Sequence, residues 1–457
     1  MTRHVPALVV GGGISGLVCA YALRNAGIDA QLFEASPRPG GVISSVTRDG
    51  FLLELGPQSF SGTLALRQLC VELGIASELL QAPPRAPRYV LIDGQLRPVP
   101  LSPPAFFMSS LINGSTKWAL ARDIFGKSIP PDADESVADF VRRKFSPQLL
   151  DRLVGPFVSG IYAGDPERLS VRSAFPQLYE AEKAAGSIVR GMLRLAKSRK
   201  GPRQRPSLQS FREGNETLVR ALANKLGPAL LTATCVTAVS RQNDGSFDVR
   251  LESSRGSESV SARSLVLATP TDVTEKLLSG LDSSFETPLS SIDYAAVAVV
   301  SLGHRKKDVG HSLNGFGFLV PRSAGLRVLG SVWNSSLFPG RAPQGHVLLT
   351  SFVGGTTDPA ATKLKPEELA SLVHNEISPL LSIGSEPVFS NVTIWPRALP
   401  QYNLGHADRL AAVAKLCSQF PGLWVTGNYL RGPAIGSCVD QAFAVAEEVR
   451  KHLAAEG

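Results

Sequence analysis

The chain has 457 residues, 43% of them hydrophobic and 19% charged, with a formal net charge of +8. That length exceeds one simple core, and that composition excludes a disordered or fibrous chain, so two or three globular domains are expected. The basic balance fits an anionic partner, either a membrane surface or a polyacidic small molecule; with no recognisable nucleic-acid module, nucleic acid ranks last.

Residues 6–10 form a short apolar, β-branched run of the kind that makes a buried strand. Gly11-Gly12-Gly13-Ile14-Ser15-Gly16 follows, and Leu17, Val18, Ala20, Tyr21, Leu23 and Arg24 then predict a helix closed by Gly27. Ala30, Gln31, Leu32 and Phe33 predict a second strand that delivers Glu34, 18 residues beyond Gly16. In such a unit Gly11 permits the turn, Gly13 lets the backbone approach a pyrophosphate, and Gly16 lets the helix sit against its strand. The helix N-terminus offers free N–H groups to phosphates, and Glu34 is placed to accept hydrogen bonds from a ribose. The unit suits NAD and FAD equally. Arg38 with Gly40-Gly41 can bring a cation and bare backbone to the same pyrophosphate, and Gly56-Pro57 reads as a turn after a strand. This second glycine element favours the longer FAD; an ordinary surface loop is the alternative.

Residues 61–81 are expected to be helical, with Leu64, Leu66, Leu69, Cys70 and Leu73 on a buried stripe. Pro83-Pro84-Arg85-Ala86-Pro87 then breaks the chain and introduces a strand and turn over residues 88–94. Residues 102–200 read as mostly helical, with Pro103-Pro104 and Pro130-Pro131 as punctuation. Near their end Arg190, Arg194 and Lys197 alternate with Ile188, Val189, Met192, Leu193 and Leu195, a basic amphipathic helix followed by a basic loop with Arg199 and Lys200. It is either a solvated charged face or a membrane contact. A helix is expected over 211–226, and strands over 231–240, 247–251 and 264–269. Residues 294–354 are strand-rich, 367–381 helical and 389–395 a strand; a strand enters a glycine turn over 422–429, and a helix covers 437–453. The apolar run at 294–302 is too short to cross a bilayer, which needs about 20 residues. Cys19, Cys70, Cys235, Cys417 and Cys438 lack CxxC spacing, which fits free thiols in a reducing compartment and argues against a metal site.

Four further stretches carry a resemblance. They are Gly160-Ile161-Tyr162-Ala163-Gly164-Asp165-Pro166 with Leu169-Ser170, Gly315-Phe316-Gly317-Phe318-Leu319-Val320-Pro321, Pro400-Gln401-Tyr402-Asn403-Leu404-Gly405-His406, and Gly427-Asn428-Tyr429 through Gly436, Cys438 and Val439. With the glycine turn they resemble, nearly end to end, the FAD-dependent protoporphyrinogen oxidases of the oxygen-dependent type, within the amine oxidase and phytoene desaturase superfamily. The resemblance implies an α/β plus α+β architecture. It comprises a discontinuous Rossmann-like FAD-binding domain (1–85, 206–270, 390–457), a mixed-sheet substrate domain (86–93, 271–389) and a helical, membrane-associating domain (94–205). It implies noncovalent FAD, held by Gly11, Gly12, Gly13, Ile14, Ser15, Gly16, Glu34, Ala35, Arg38, Gly40, Gly41, Gly56, Pro57, Val236, Trp395, Gly427, Asn428, Gly436 and Val439. Among substrate residues, Arg88 matches the arginine that pairs with a propionate, Leu319 and Leu329 the apolar residues on one side of a pyrrole, and Phe352 the aromatic on the other. Ala163 and Gly164 match the backbone wall of the cavity.

The implied reaction removes three pairs of hydrogens from a porphyrinogen, with flavin N5 as hydride acceptor and O2 reoxidising the flavin to give H2O2. No catalytic side chain and no metal are implied. The implied partners are a tetrapyrrole, O2, a peripheral membrane surface and a second copy in a homodimer. The location is the cytoplasmic side of a membrane in a bacterium, or an organelle membrane in a eukaryote. Coproporphyrinogen III is the alternative substrate. A flavin amine oxidase using Lys306 or Lys307 near the flavin, and a flavin-free lipid carrier of related fold, are weaker alternatives. Glu213 and Pro433 depart from the family pattern, which puts local loop geometry in doubt.

Overall fold

Two seven-stranded sheets organise the chain in the computed structural model, which describes residues 3–100, 105, 108, 109, 111–198 and 208–456. The basic loop with Arg199 and Lys200 and the Pro103-Pro104 break lie outside the described residues. The first sheet is built on Arg3–Val10, whose Ala7, Leu8 and Val9 are fully buried, as a central parallel strand covered on both faces requires. Ala30–Phe33 and Gly256–Leu267 run parallel to it on either side, and Leu423–Val425 runs parallel beside the latter. Leu230–Leu231 extends one edge, and the antiparallel strands Phe247–Ser253 and Thr234–Arg241 extend the other. Helices Ile14–Asn25, Glu216–Leu226 and Ile435–Glu456 share one core against this sheet through Leu17, Val18, Leu222, Val439 and Val449. Its other face is covered through Leu277, Phe285, Leu289 and Val413.

The second sheet runs in the order Phe389–Pro400, Tyr294–Arg305, His346–Gly354, Val328–Val332, Gly317–Leu319, Arg88–Ile92, Gln95–Pro98. Its period-2 alternation divides the side chains cleanly. Ala298, Val300, Val353 and Phe318 pack with Leu369, Val373 and Ile377 of helix Pro366–Leu381, and the opposite face turns to the helical part. There Val137, Phe140, Val141, Val158, Tyr162 and Ile188 make a small core. A buried ion cluster supports it: Lys144 Nζ lies 2.6 Å from Asp123 and 3.3 Å from Glu182, and Arg143 bridges Glu135 and Glu182. Burial alone would raise the Glu182 carboxyl, but Arg143, Ser128 and Lys144 outweigh it and hold it down at about 2.

Local structure departs from expectation at two helices. The helix expected over 61–81 ends at Glu72, because Gly74 is left-handed (φ +74) and Leu79–Gln81 becomes a strand. The helix expected from 211 begins at Glu216, because Leu208–Phe211 is the strand with which Leu79–Gln81 pairs. Sheet pairing also cuts across the expected segment boundaries. Gln95–Pro98 pairs with Arg88–Ile92, so the second sheet continues past residue 93. Phe389–Pro400 pairs with Tyr294–Arg305, which places residues 390–400 in the second sheet. Thr271–Leu278 and Glu286–Ser290 pack beneath the first sheet through Leu277, Leu278 and Leu289. The expected boundaries are those the resemblance implies; strand pairing joins segments across them.

Candidate active site

Val10, Leu267 and Val425 end three parallel strands in register, and the glycine turn leaves that edge. Gly11 sits at φ +103, and a Cβ there would meet the Ala268 carbonyl at 2.7 Å. At Gly16 a Cβ would lie 1.9 Å from the Gly11 carbonyl, so the helix rests directly on the turn. At Gly13 the result is opposite: a Cβ would meet nothing within 4 Å. Gly13 is the N-cap of Ile14–Asn25, with no side-chain cap and no acid in the first turn. Open space above unpaired N–H groups at the positive end of a helix fits a pyrophosphate.

Glu34 Oε2 accepts the Gly12 N–H at 2.6 Å and Oε1 the Ser36 N–H at 2.7 Å. Each oxygen keeps acceptor capacity for a ribose hydroxyl, so the acid both shapes the turn and faces it. The Gly40 N–H donates to the Gly12 carbonyl at 2.7 Å, and a Cβ on Gly41 would stand 3.6 Å from Gly13 Cα, which brings the second glycine element onto the first. Arg38 donates to the carbonyls of Pro39, Gly41 and Ile43 at 3.1, 2.7 and 3.1 Å. Its guanidinium thus staples its own loop, a role the sequence reading missed. Ala35 is exposed beside Glu34. Val236 is buried in the first sheet on the strand whose Thr234 N–H donates to the Glu34 carbonyl.

The remaining expected cofactor residues come from distant segments. Gly56 lies against Val42, where a Cβ would meet the carbonyl at 2.1 Å, and the Pro57 carbonyl accepts from Asn215 Nδ2 at 2.7 Å. Trp395 Nε1 donates to the Leu55 carbonyl at 2.7 Å, which joins the second sheet to this turn. Just before it, buried Glu54 accepts from Ser45 Oγ at 2.6 Å and the Asn215 N–H at 2.9 Å, with Arg341 at 3.7 Å. Burial pushes its carboxyl up to about 7 against the pull of Ser45, Arg341 and Asn215. Gly427 and Asn428 follow Thr426, whose N–H donates to the Leu267 carbonyl at 2.9 Å. Gly436 is forced by Ser61 and Thr63, which a Cβ would approach to 2.8 and 2.7 Å. Val439 is fully buried in the core shared with Ile14–Asn25, so its side chain packs rather than faces an opening. Glu213 is exposed and pairs with Arg220 while Gly214 takes φ +91, so the departure at Glu213 is absorbed locally.

Paired residues on neighbouring strands share a face, and the register of the second sheet aligns Leu319 with Val90 and Gly330, Gly330 with Phe352, and Phe352 with Val299. Arg88, one side-chain repeat before Val90, joins that face. Leu329 bulges between the pairs formed by Val328 and Gly330, and it packs with Phe352 beside Ala163, Ala295 and Val297. From the helical side, Gly160 closes on Leu319, where a Cβ would meet Cδ2 at 2.5 Å. Ala163 ends the helix Gly155–Tyr162 in the left-handed region (φ +47), and its carbonyl accepts the Thr356 N–H at 2.8 Å. Gly164 abuts Gln401 Oε1, 2.7 Å from where a Cβ would stand. The structure therefore gathers Arg88, Ala163, Gly164, Leu319, Leu329 and Phe352 around one face. Arg88 is exposed and stacks on Phe316 at 5.4 Å, with no carboxylate paired to it among the described residues. Sequence reasoning missed Gly330, which leaves the face bare between Leu319 and Phe352.

In the helical part, Arg190 donates to the carbonyls of Ile124, Gly126 and Ala185, and Arg194 to that of Ala184. These are orphan carbonyls at helix C-termini, so both cations close neighbouring helices. The exposed apolar groups lie largely elsewhere: Trp118, Phe125 and Ile129 are 72, 85 and 90% exposed. No helix among the described residues is long and apolar enough to cross a membrane, and none of their His, Cys, Asp and Glu side chains form a cluster fit for a metal.

A glycine turn at an open helix N-terminus with Glu34 facing it, next to a mixed sheet with an apolar, cation-edged face, fits an oxidoreductase that uses a nucleotide cofactor. The family model described as flavin containing amine oxidoreductase matches residues 14–450. The chain is 35% identical to the chloroplastic protoporphyrinogen oxidase of Oryza sativa subsp. japonica, over 98% of this chain and 88% of that one. It is 29% identical to the coproporphyrinogen III oxidase of Bacillus subtilis, over 99% and 98%. A solved structure from Exiguobacterium sp. 255-15, assigned as a protoporphyrinogen oxidase, superposes with a TM-score of 0.80 at 26% identity over 98% of this chain and 99% of that one. The chain belongs to the flavin containing amine oxidoreductases and, among them, to the protoporphyrinogen oxidase family. It is a flavin enzyme.

Proposed function

We propose that the protein oxidises protoporphyrinogen IX to protoporphyrin IX in three two-electron steps, with noncovalent FAD as cofactor and O2 as final acceptor. The single observation that carries the substrate reading is the face with an exposed Arg88 at its edge, paired with no carboxylate among the described residues, and Leu319, Leu329 and Phe352 across it. A bound flavin supplies the hydride-accepting ring. The chain's own residues bind and orient. The N–H groups above Gly13 take the pyrophosphate, Glu34 takes the ribose, and Gly56, Pro57, Trp395, Gly427, Asn428 and Gly436 shape the far end of the cleft. Arg88 pairs with a propionate, for which a guanidinium offers two parallel donors. Leu319, Leu329 and Phe352 take the apolar macrocycle, and Ala163 and Gly164 limit its position. Aromatisation drives the reaction, so holding the macrocycle in place is the main demand on the protein.

The Bacillus subtilis relative favours coproporphyrinogen III as the second reading. It carries four propionates where protoporphyrinogen carries two. Comparing kcat/KM on the two porphyrinogens tests the choice: a preference for coproporphyrinogen III reverses it, and no oxidation of either overturns the function. The amine oxidase alternative loses support, because Lys306 and Lys307 follow Arg305 in a turn at the far end of Tyr294–Arg305. From Val297 to Arg305 is eight residues of strand, about 26 Å at ~3.3 Å per residue. We also infer a peripheral membrane contact through Trp118, Phe125 and Ile129, edged by exposed Arg122 and Lys127.

A further inference from the structure

Residues 401–406 stand between the helical part and the glycine turn at 427–436. Their main chain is tied to the helical part. The Tyr402 carbonyl accepts the Ser170 N–H at 2.8 Å, the Leu404 N–H donates to the Arg168 carbonyl at 2.9 Å, and the Gly405 N–H donates to Asp134 Oδ2 at 2.9 Å. The polar ends of the Tyr402 and His406 side chains reach the other way. The Tyr402 hydroxyl donates to the Asn428 carbonyl at 2.5 Å and accepts the Gly432 N–H at 2.6 Å. His406 Nε2 donates to the Tyr429 carbonyl at 2.9 Å. The two rings stack at 4.3 Å and 10°, and both residues are 1% exposed. Burial lowers the His406 imidazole to about 4, so it is neutral near pH 7 and holds its single proton on the bonded nitrogen.

Three backbone groups within five residues are thus held by two side chains: Tyr402, which packs in the core of the helical part, and His406, which opens the helix His406–Ser418 covering the first sheet. A turn that merely needed filling would take apolar side chains here. Gly432 stands at φ +113, a conformation that favours glycine.

We propose that Tyr402 and His406 are positioning residues that fix the turn 428–432 and so set the flavin-facing end of the cofactor site, Tyr402 from the core of the helical part and His406 from the start of the helix over the first sheet. The proposal rests on the reading that residues 427–436 face the flavin. Coupling follows from it: a movement of the helical part, as when substrate docks against Ala163 and Gly164, reaches the cofactor through the two hydrogen bonds of the Tyr402 hydroxyl.

Tyr402→Phe tests this, since it preserves the ring and removes only the hydroxyl. Hydrogen–deuterium exchange of the full-length protein should be about tenfold faster across 427–434 and unchanged across 14–25, because a buried N–H loses its partner. The bound flavin's visible band should shift, and kcat on protoporphyrinogen should fall about tenfold with KM within twofold, the split expected when reacting groups are misplaced rather than unbound. His406→Gln, which keeps an N–H donor, should lie between this variant and the wild type; His406→Leu should match Tyr402→Phe, and decides the matter if Tyr402→Phe does not fold. Wild-type exchange, or faster exchange with an unshifted flavin band and unchanged kcat, overturns the proposal. A purified protein that cannot take up FAD refutes the cofactor reading instead; it is told apart because the exchange contrast between wild type and variant remains.

Discussion

Glu34→Gln separates the two tasks of that acid. In the wild type its oxygens accept the Gly12 and Ser36 N–H groups at 2.6 and 2.7 Å. Glutamine keeps one carbonyl oxygen, so its NH2 must face one of these two donors, and that N–H loses its partner. Hydrogen bonds to a charged acceptor are worth about 1.5–3 kcal/mol each, so the glycine turn itself loosens by roughly that amount. If a ribose hydroxyl also donates to the carboxylate, a similar loss appears in cofactor affinity, on the order of 10- to 150-fold. Fluorescence titration of the flavin-stripped protein with FAD measures the second term, and thermal unfolding of the stripped protein measures the first. A lowered melting temperature with FAD affinity within twofold of wild type would refute the ribose role and leave Glu34 as a purely structural brace.

Arg88→Ala should raise KM for protoporphyrinogen by about tenfold or more while kcat changes little, since a charge-assisted pair made equally in ground and transition states acts on binding; an unchanged KM removes Arg88 from the site. The Glu54 carboxyl, raised from 4.5 to about 7 by burial, gives a pH signature. Between those values the folded state binds more protons than the unfolded, so this group's contribution to stability is present below pH 4.5 and is lost as pH rises through 7. Chemical denaturation of Glu54→Gln from pH 5 to 8 should show a flatter dependence than wild type, and parallel profiles would count against the assignment. Replacing Trp118 and Phe125 together by serine should reduce sedimentation with anionic vesicles severalfold without altering oxidation of a detergent-dispersed substrate; unchanged sedimentation moves the contact elsewhere.

Some of the site is local, and that part was legible. The strand, glycine turn, helix and acid lie within residues 6–34, and their chemistry follows from side-chain size and periodicity. Arg88, Leu319 and Phe352 were found by motif likeness alone. As isolated residues they read as a surface cation and sheet core, because their shared face exists only through the pairing of Arg88–Ile92, Gly317–Leu319, Val328–Val332 and His346–Gly354. Arg38 and Arg190 show the reverse difficulty. Each carries the charge expected of an anion or membrane contact, yet each is committed to carbonyls that only the folded backbone brings within reach.

What the sequence determined by itself is therefore the nucleotide-binding turn, the class of most elements and, through its motifs, the family. These depend on short-range constraints: φ at Gly11, apolar alternation, and an acid one strand away. Tertiary structure alone decided which strands pair between residues 81 and 400, which cations bond backbone carbonyls and what holds the turn at 428–432. Hydrogen bonds link residues hundreds of positions apart, Gln58 with Asn334 across 276 and Trp395 with Leu55 across 340, and no periodicity along the chain encodes them.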